Sequence, residues 1–333
     1  LQKYEADVKV QYLIKNMDIQ YPLTVIRTKL KEAFVSWENL DSFITGLTNS
    51  LYNGMYIDEF KWTKALVSSA YKGNLVQVET VSSPLTSSDL AKTFTTKARE
   101  LFLNFQMPST QYNAWSKVGG YGRSIVSWSK PEDVVVFISN KLASELDVDV
   151  LANAFNMDKA ELMGKVYYID SFDIIDDEGQ TQFDGSNIYA LICDKRWFKI
   201  RTKDMFMDEF YNANNRSWQQ YLNVIKAFNY SLFANAYMLV SAIPTVNITS
   251  ASFNETAPEV TAGEKITLHL TTVPFNATQT VTFTSGTVGK ATVEKIDDRT
   301  VEVTGVAAGS STITATAGGV SIATVSVTVN AAS

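Results

Sequence analysis

Asp170, Asp173, Asp176, Asp177, Glu178 and Asp184 crowd one stretch of this 333-residue chain. A calcium loop would supply oxygen ligands at alternating positions around a central glycine. Ile174 and Ile175 break that spacing, so the cluster reads as a solvated acidic loop. Glu145, Asp147 and Asp149 are candidate catalytic carboxylates, but they open an expected helix, where acids complement the helix dipole. His269 is the only histidine and lies in an alternating, Thr-rich strand. No Ser–His–Asp or zinc set can be assembled around it, and its polar-face position predicts a solvent-exposed ring. Cys193, the only cysteine, reads as a small buried hydrophobe rather than a nucleophile.

Three further patterns invite chemistry and do not sustain it. Gly119-Gly120-Tyr121-Gly122 hints at a phosphate loop, but the fingerprint needs a glycine where Ile125 stands, and no Gly-Lys-Ser or Gly-Lys-Thr follows. It reads as a flexible turn. Trp115 and Trp128 could line a sugar cleft with the acidic clusters, as in an enzyme carrying a binding module, yet no carboxylate pair stands out. Asn215, Asn229, Asn247, Asn254 and Asn276 each open an Asn-x-Ser/Thr triplet, which a Thr-rich chain produces by chance. No catalytic, cofactor-binding or metal residue is assigned, and the expected role is not enzymatic.

The elements that would hold these residues fall into two parts. Hydrophobic residues make up 45% and the net charge is −6, so the chain can bury a core and carries no global basic field for nucleic acid or anionic membrane. No apolar run is long enough for a transmembrane helix, and no signal-peptide pattern opens the sequence at Leu1. Of 6 Trp, 15 Tyr and 18 Phe, only Phe253, Phe275 and Phe283 follow Pro244. Thr and Val dominate there instead, marking a switch to an all-β unit. Ile266, Leu268 and Leu270 alternate with polar residues, as do Val281 and Phe283, Val301 and Val303, Ile313 and Ala315, and Val325, Val327 and Val329. With turn signals between the runs, about seven short strands in a sandwich are expected.

The part before Pro244 reads as α+β. Leu30, Ala33, Phe34 and Trp37, then Leu40, Phe43, Ile44, Leu47 and Leu51, have helical spacing; Gly54 interrupts it, and a second amphipathic stretch runs from Asp58 to Tyr71. Ser88 and Asp89 can cap a helix carrying Leu90, Phe94, Ala98, Leu101, Phe102 and Phe105. Val134 to Ile138, Lys165 to Ile169 and Ile188 to Cys193 read as buried strands, and Leu142 to Phe155 as helical. Trp218 to Val240 fits helix and strand alike.

The tail is similar to the bacterial immunoglobulin-like domain, group 2. The resemblance rests on Val260-Thr-Ala-Gly263-Glu264, the turn Val273-Pro274-Phe-Asn276-Ala-Thr278, Phe283-Thr-Ser285, Ala291-Thr-Val293, and Val303-Thr-Gly305-Val306-Ala-Ala-Gly309 followed by Ile313-Thr-Ala315. Phe283 stands where that family usually has Trp.

The body resembles the major capsid protein of short-tailed phages, closest to podophages of Gram-positive hosts, with the Hong Kong 97-type fold. Lys31-Glu-Ala-Phe34-Val-Ser-Trp37-Glu-Asn-Leu-Asp-Ser-Phe43 resembles the entry to the spine helix of the peripheral domain. Pro131-Glu-Asp-Val-Val-Val-Phe-Ile-Ser139 and Leu146-Asp-Val-Asp-Val-Leu151-Ala-Asn-Ala-Phe155-Asn-Met157 resemble an axial-domain strand and helix, and Phe233-Ala-Asn-Ala236 a late peripheral strand.

The resemblance implies a capsid body over 1–243, with its spine helix at about 30–71 and axial domain at about 110–200, and a sandwich over 244–333. It implies pentamers and hexamers of an icosahedral virion shell around double-stranded DNA, without sequence-specific DNA binding, assembled in the host cytoplasm. Scaffolding protein and portal are the implied assembly partners, and host cell wall or glycan a contact for the sandwich. The family has an N-terminal arm and an extended loop before the spine helix, and roughly thirty residues precede that helix here, so the contacts of the arm and most of the loop are not assigned. A bacterial surface protein or adhesin using the sandwich as a binding module is the alternative.

Overall fold

A computed structural model of the chain describes residues 8–33, 37–83, 88–118, 124–145, 165–176, 178 and 180–332. The body begins with strand β1 (Met17–Ile26), helix α1 (Arg27–Ala33) and the 36-residue helix α2 (Trp37–Lys72). Then come β2 (Gln77–Thr80), α3 (Ser88–Asn104), β3 (Val134–Ser139), α4 (Asn140–Glu145) and β4 (Val166–Ile169). Strands β5 (Ile174–Ile175) and β6 (Thr181–Phe183) form a small hairpin, followed by β7 (Ile188–Asp194). The long strands β8 (Phe198–Asn212) and β9 (Ser217–Tyr230) lead to β10 (Ala236–Val240).

Two sheets result. A mixed five-stranded sheet has the order β2-β10-β7-β3-β4. Its three central strands, β10, β7 and β3, are buried on both faces, which is why they read as continuous apolar runs. Val134, Val136, Ile138, Ala190, Ile192 and Leu239 meet Phe94 and Leu101 of α3, and Phe105 just past its end, on one face. Val135, Leu191, Cys193, Met238 and Val240 meet Val67 and Tyr71 of α2, with Trp197, on the other. The second sheet, β1-β9-β8, is antiparallel. Leu51 and Met55 of α2 pack on Leu222 and Val224 of its central strand, so one helix serves both sheets.

Gly54 does not interrupt α2, which runs unbroken through it. The ring of Tyr21 lies against this position, 3.4 Å from where a Cβ would stand. Packing on the sheet outweighs the ~1 kcal/mol that a glycine costs a helix interior. Because that spacing is ordinary contact, Gly54→Ala is expected to stabilise the body by ~0.5–1 kcal/mol in denaturant titration. A loss of stability would mean that the Tyr21 ring cannot accept the methyl group.

The stretch 218–240 resolves into β9, a loop and β10. Its period-two burial, with Leu222, Val224, Lys226 and Phe228 inside, is masked in the sequence by Ile225 and Ala227 on the other face and by a lysine at a core position. Phe233 to Asn235 are loop, not strand, and β10 lies between β2 and β7 in the five-stranded sheet rather than in the β1-β9-β8 sheet. The helix continuation expected beyond Glu145 lies outside the described residues.

After Pro244 come eight strands, where about seven are expected. They are β11 (Ser250–Phe253), β12 (Glu259–Thr261), β13 (Lys265–Val273), β14 (Val281–Ser285), β15 (Ala291–Asp297), β16 (Thr300–Gly305), β17 (Gly309–Ala317) and β18 (Val320–Asn330). Their sheets, β11-β13-β16-β15 and β12-β18-β17-β14, close over Leu268, Val301, Val303, Ile313 and Val327. At Gly305 a Cβ would stand 2.7 Å from the Thr261 carbonyl oxygen, so close approach of another strand excludes a side chain there, whereas Gly309 is required by its own backbone, at φ +141.

Candidate interaction surfaces

The acidic stretch is folded into the β5–β6 hairpin and its flanks. Asp173 Oδ1 accepts from the Gly185 amide at 2.7 Å, Asp176 Oδ1 from the Gln180 amide at 2.7 Å, and Asp184 Oδ1 from the Ser186 amide at 2.9 Å. Asp170 pairs with Lys64 of α2 at 2.7 Å. Burial alone would raise the Asp170 carboxyl, but hydrogen bonds from Lys64 and the backbone outweigh it and hold it below its ordinary value. These oxygens fix turns and join the hairpin to α2. Asp177 lies outside the described residues, as do Gly119, Gly120, Tyr121, Gly122, Asp147, Asp149 and the side chain of Glu145.

The other candidates are structural. Cys193 is fully buried, and burial with the neighbouring Asp194 charge pushes its thiol well above the ordinary range. The thiolate a nucleophile needs is therefore suppressed. Asp194, equally buried, receives Arg196 Nε at 2.9 Å and Nη2 at 2.6 Å. His269 is half-buried rather than exposed, with Nδ1 3.3 Å from Thr300 Oγ1 on the adjacent strand β16. A long side chain on a strand leans over its cross-strand neighbour, which covers part of the ring. Trp115 packs on Phe233 with ring centroids 5.1 Å apart, whereas Trp128 is half-exposed. Asn215 accepts from Ser217, Asn229 bonds the Ile14 backbone, and Asn254 accepts from the His269 amide.

Asn276 holds the sandwich to the body. Its Nδ2 donates to the Gly73 carbonyl, and its own carbonyl accepts from Asn74 Nδ2 at 2.9 Å. Asn74 sits just past α2 at φ 49, a conformation asparagine tolerates. Beneath it, Lys117 Nζ donates to Asn74 Oδ1 at 2.5 Å and to the Val76 carbonyl at 2.7 Å. Burial lowers the Lys117 ammonium to about 8. Between that value and the ordinary 10.5, the unfolded chain holds more protons than the folded one. Stability should therefore rise with pH across that window and be flat in this respect below it. Lys117→Met is expected to remove that rise in melting curves from pH 7 to 10; an unchanged slope would assign it to other groups.

The remaining features are surfaces. Among the described residues, no strand pairs with the outer edge of β8, and all residues from Ile200 to Tyr211 are exposed. They include Ile200, Met205, Phe206, Met207, Phe210 and Tyr211. A long apolar edge of this kind marks a contact surface. Residues 8–14 run beside the end of β9 with Val8, Val10, Tyr12 and Ile14 exposed. Between α2 and the acidic hairpin lies a cleft of 410 Å³ lined by Ile57, Phe60, Trp62, Ile174 and Ile175, with Lys64 and Asp170 at its rim. The β8 edge and these patches were not foreseen in the sequence. A bulge between Thr202 and Asp204 shifts the phase of β8, so no single period-two pattern spans it.

Comparison with known proteins gives a consistent set. Residues 1–240 match the family model of the Phi29-like phage major capsid protein, and residues 247–332 match that of the bacterial Ig-like domain (group 2). The major capsid protein of Bacillus phage B103 is 32% identical over 244 residues, covering 72% of this chain and 50% of that protein. The major capsid protein of Bacillus phage PZA is 29% identical over 265 residues, covering 79% and 55%. The chain thus spans about half the length of these relatives. Among solved structures, a chain of the capsid of Staphylococcus phage Andhra superposes with TM-score 0.55 at 17% identity, covering 68% of this chain and 70% of that one. A chain from the structure of the head fiber and inner core protein of native bacteriophage P68 gives 0.51 at 17% identity, covering 68% and 71%.

Proposed function

Because this chain belongs to the Phi29-like phage major capsid protein family, with a Hong Kong 97-type capsid body and an immunoglobulin-like C-terminal sandwich, we propose that it builds the shell of an icosahedral phage head. In this reading it assembles through its body into pentamers and hexamers around double-stranded DNA. The role is structural, without catalysis. The observation that carries it is the family match over residues 1–240, supported by a fold shared with a phage capsid chain. Contacts repeated under closed symmetry make a stable shell from individually modest interfaces. The exposed edge of β8 and the apolar residues flanking α2 supply surfaces of that kind.

The body would comprise 1–243 and the sandwich 244–333, with α2 as the spine of the peripheral unit. The axial unit, expected at about 110–200, would also take in β2, α3 and β10, since these complete its sheet and core. Scaffolding protein and portal would be partners during assembly, the virion its final location, and host wall or glycan a contact for the sandwich. The net charge of −6 suits a shell that encloses DNA without gripping it. Electron micrographs of the purified protein, alone and with scaffolding protein, test the proposal. Closed particles are expected; a protein that stays monomeric under every assembly condition overturns it.

A further inference from the structure

We propose that β8 is the site of a two-fold contact between copies of this chain, made by antiparallel pairing of its free edge with the β8 edge of a second copy. The inference rests on the reading of the chain as a self-assembling shell subunit and names one surface through which it assembles. Three observations carry it. The first is the edge itself: β8 has 15 residues, contains no proline, and pairs only with β9 among the described residues. Its outward amides and carbonyls are a template for pairing, and an extended strand can engage all of them at once.

The second is the distribution of charge. Lys199, Arg201 and Lys203 occupy the half of β8 nearest its start, and Asp204, Asp208 and Glu209 the half nearest the hairpin tip. No ion pair joins Lys199, Arg201, Lys203, Asp204 or Asp208 to an opposite charge among the described residues. Among the described residues, Asp208 and Glu209 receive only the neutral amides of Asn223 and Gln220. A strand that is basic at one end and acidic at the other is complementary to itself when turned antiparallel and repels itself when parallel.

The third is facing. The ladder with β9 pairs Arg201 with Ala227 and Asp208 with Tyr221, residues an even number apart, so both side chains point away from α2. The bulge at Lys203 brings the two halves into that common phase. A two-fold axis through Met205 then sets Arg201 of each copy opposite Asp208 of the other. On the reverse face it sets Thr202 opposite Met207, joining Met205 and Met207 of both copies into one apolar row beside α2. Those two methionines, 46% and 41% exposed in the single chain, would be covered.

Two sets of variants in the full chain test the contact. Met205→Cys is expected to give a disulfide-linked dimer under mild oxidation, since residues facing each other across an antiparallel pair lie within disulfide reach. Peptide mapping should join position 205 to itself, with the buried Cys193 left free. In sedimentation of dilute protein, Arg201→Asp and Asp208→Arg should each weaken self-association about tenfold, because each places like charges opposite one another twice. The two together should restore it. If particles form while position 205 does not crosslink to itself, or maps to another segment, or the double variant is no better than the singles, the pairing is wrong and the shell reading stands. If the crosslink and the charge swap behave as stated but micrographs show no particles, the pairing stands and the shell reading falls.

Discussion

Glu59→Ala is expected to destabilise the body by about 3 kcal/mol, because it strands a buried charge. Lys226 points from the central strand β9 toward α2 and is only 7% exposed. Its ammonium is met there by the Glu59 carboxylate. Removing Glu59 leaves the ammonium without its counter-charge in an apolar layer that contains Leu222, Val224 and Phe228. Replacing both partners, with Glu59→Leu and Lys226→Met, should bring stability back to within about 1 kcal/mol of the native chain, since no charge then needs solvation. Tryptophan fluorescence during denaturant unfolding measures this cleanly. All 6 Trp precede Pro244, so the signal reports the body alone. Equal losses in the single and double variants would show that the pair is not what holds helix to sheet. Tyr21, whose hydroxyl donates to Asp58 Oδ2 at 2.8 Å, reinforces the same seam; burial and then that hydrogen bond raise its phenol well above the ordinary range. The same variants bear on assembly, because a loosened α2 would shift the β1-β9-β8 sheet against the five-stranded one.

Trp197→Ala should cost the body about 4 kcal/mol, the range for emptying a large aromatic site. Trp197 is fully buried at the turn between β7 and β8, where the chain leaves one sheet for the other. Its ring stacks on Tyr230 at 5.4 Å between centroids and meets Phe198 edge-on at 4.8 Å. The indole nitrogen has no acceptor among the described residues. Trp197→Phe should therefore cost much less, about 1–2 kcal/mol, because only volume and not a hydrogen bond is lost. The sandwich, with its separate core, should melt unchanged in both variants by circular dichroism. A coupled loss would mean that the Asn74–Asn276 junction transmits the damage.

The legible parts of the fold were those in which one residue pattern has one structural solution. The alternation around Leu268, Val301 and Val327 allows only strands with one face buried, and Gly305 and Gly309 mark a turn that excludes side chains. The face Phe94, Ala98, Leu101 and Phe105 allows only a helix packed on a sheet. The body's family resemblance rested on Lys31 to Phe43, on Pro131 to Ser139 with Leu146 to Met157, and on Phe233 to Ala236. The acidic stretch read as a loop, and in it Asp173, Asp176 and Asp184 accept from the amides of turns. Gly54 misled because its cost to a helix is local and small, while the packing that overrides it comes from Tyr21, some thirty residues earlier.

What the sequence determined by itself was the division into an aromatic body and a Thr-rich sandwich, together with the kin of each. Hydrophobic periodicity and turn chemistry are local properties that survive without knowledge of neighbours. What only the tertiary structure decided was which surfaces remain uncovered. That β8 is an edge, that its charges divide along its length, and that Lys226 finds Glu59 across 167 positions of sequence depend on strand order and helix docking. No window of neighbouring residues contains them, because an edge is defined by the strand that is not beside it.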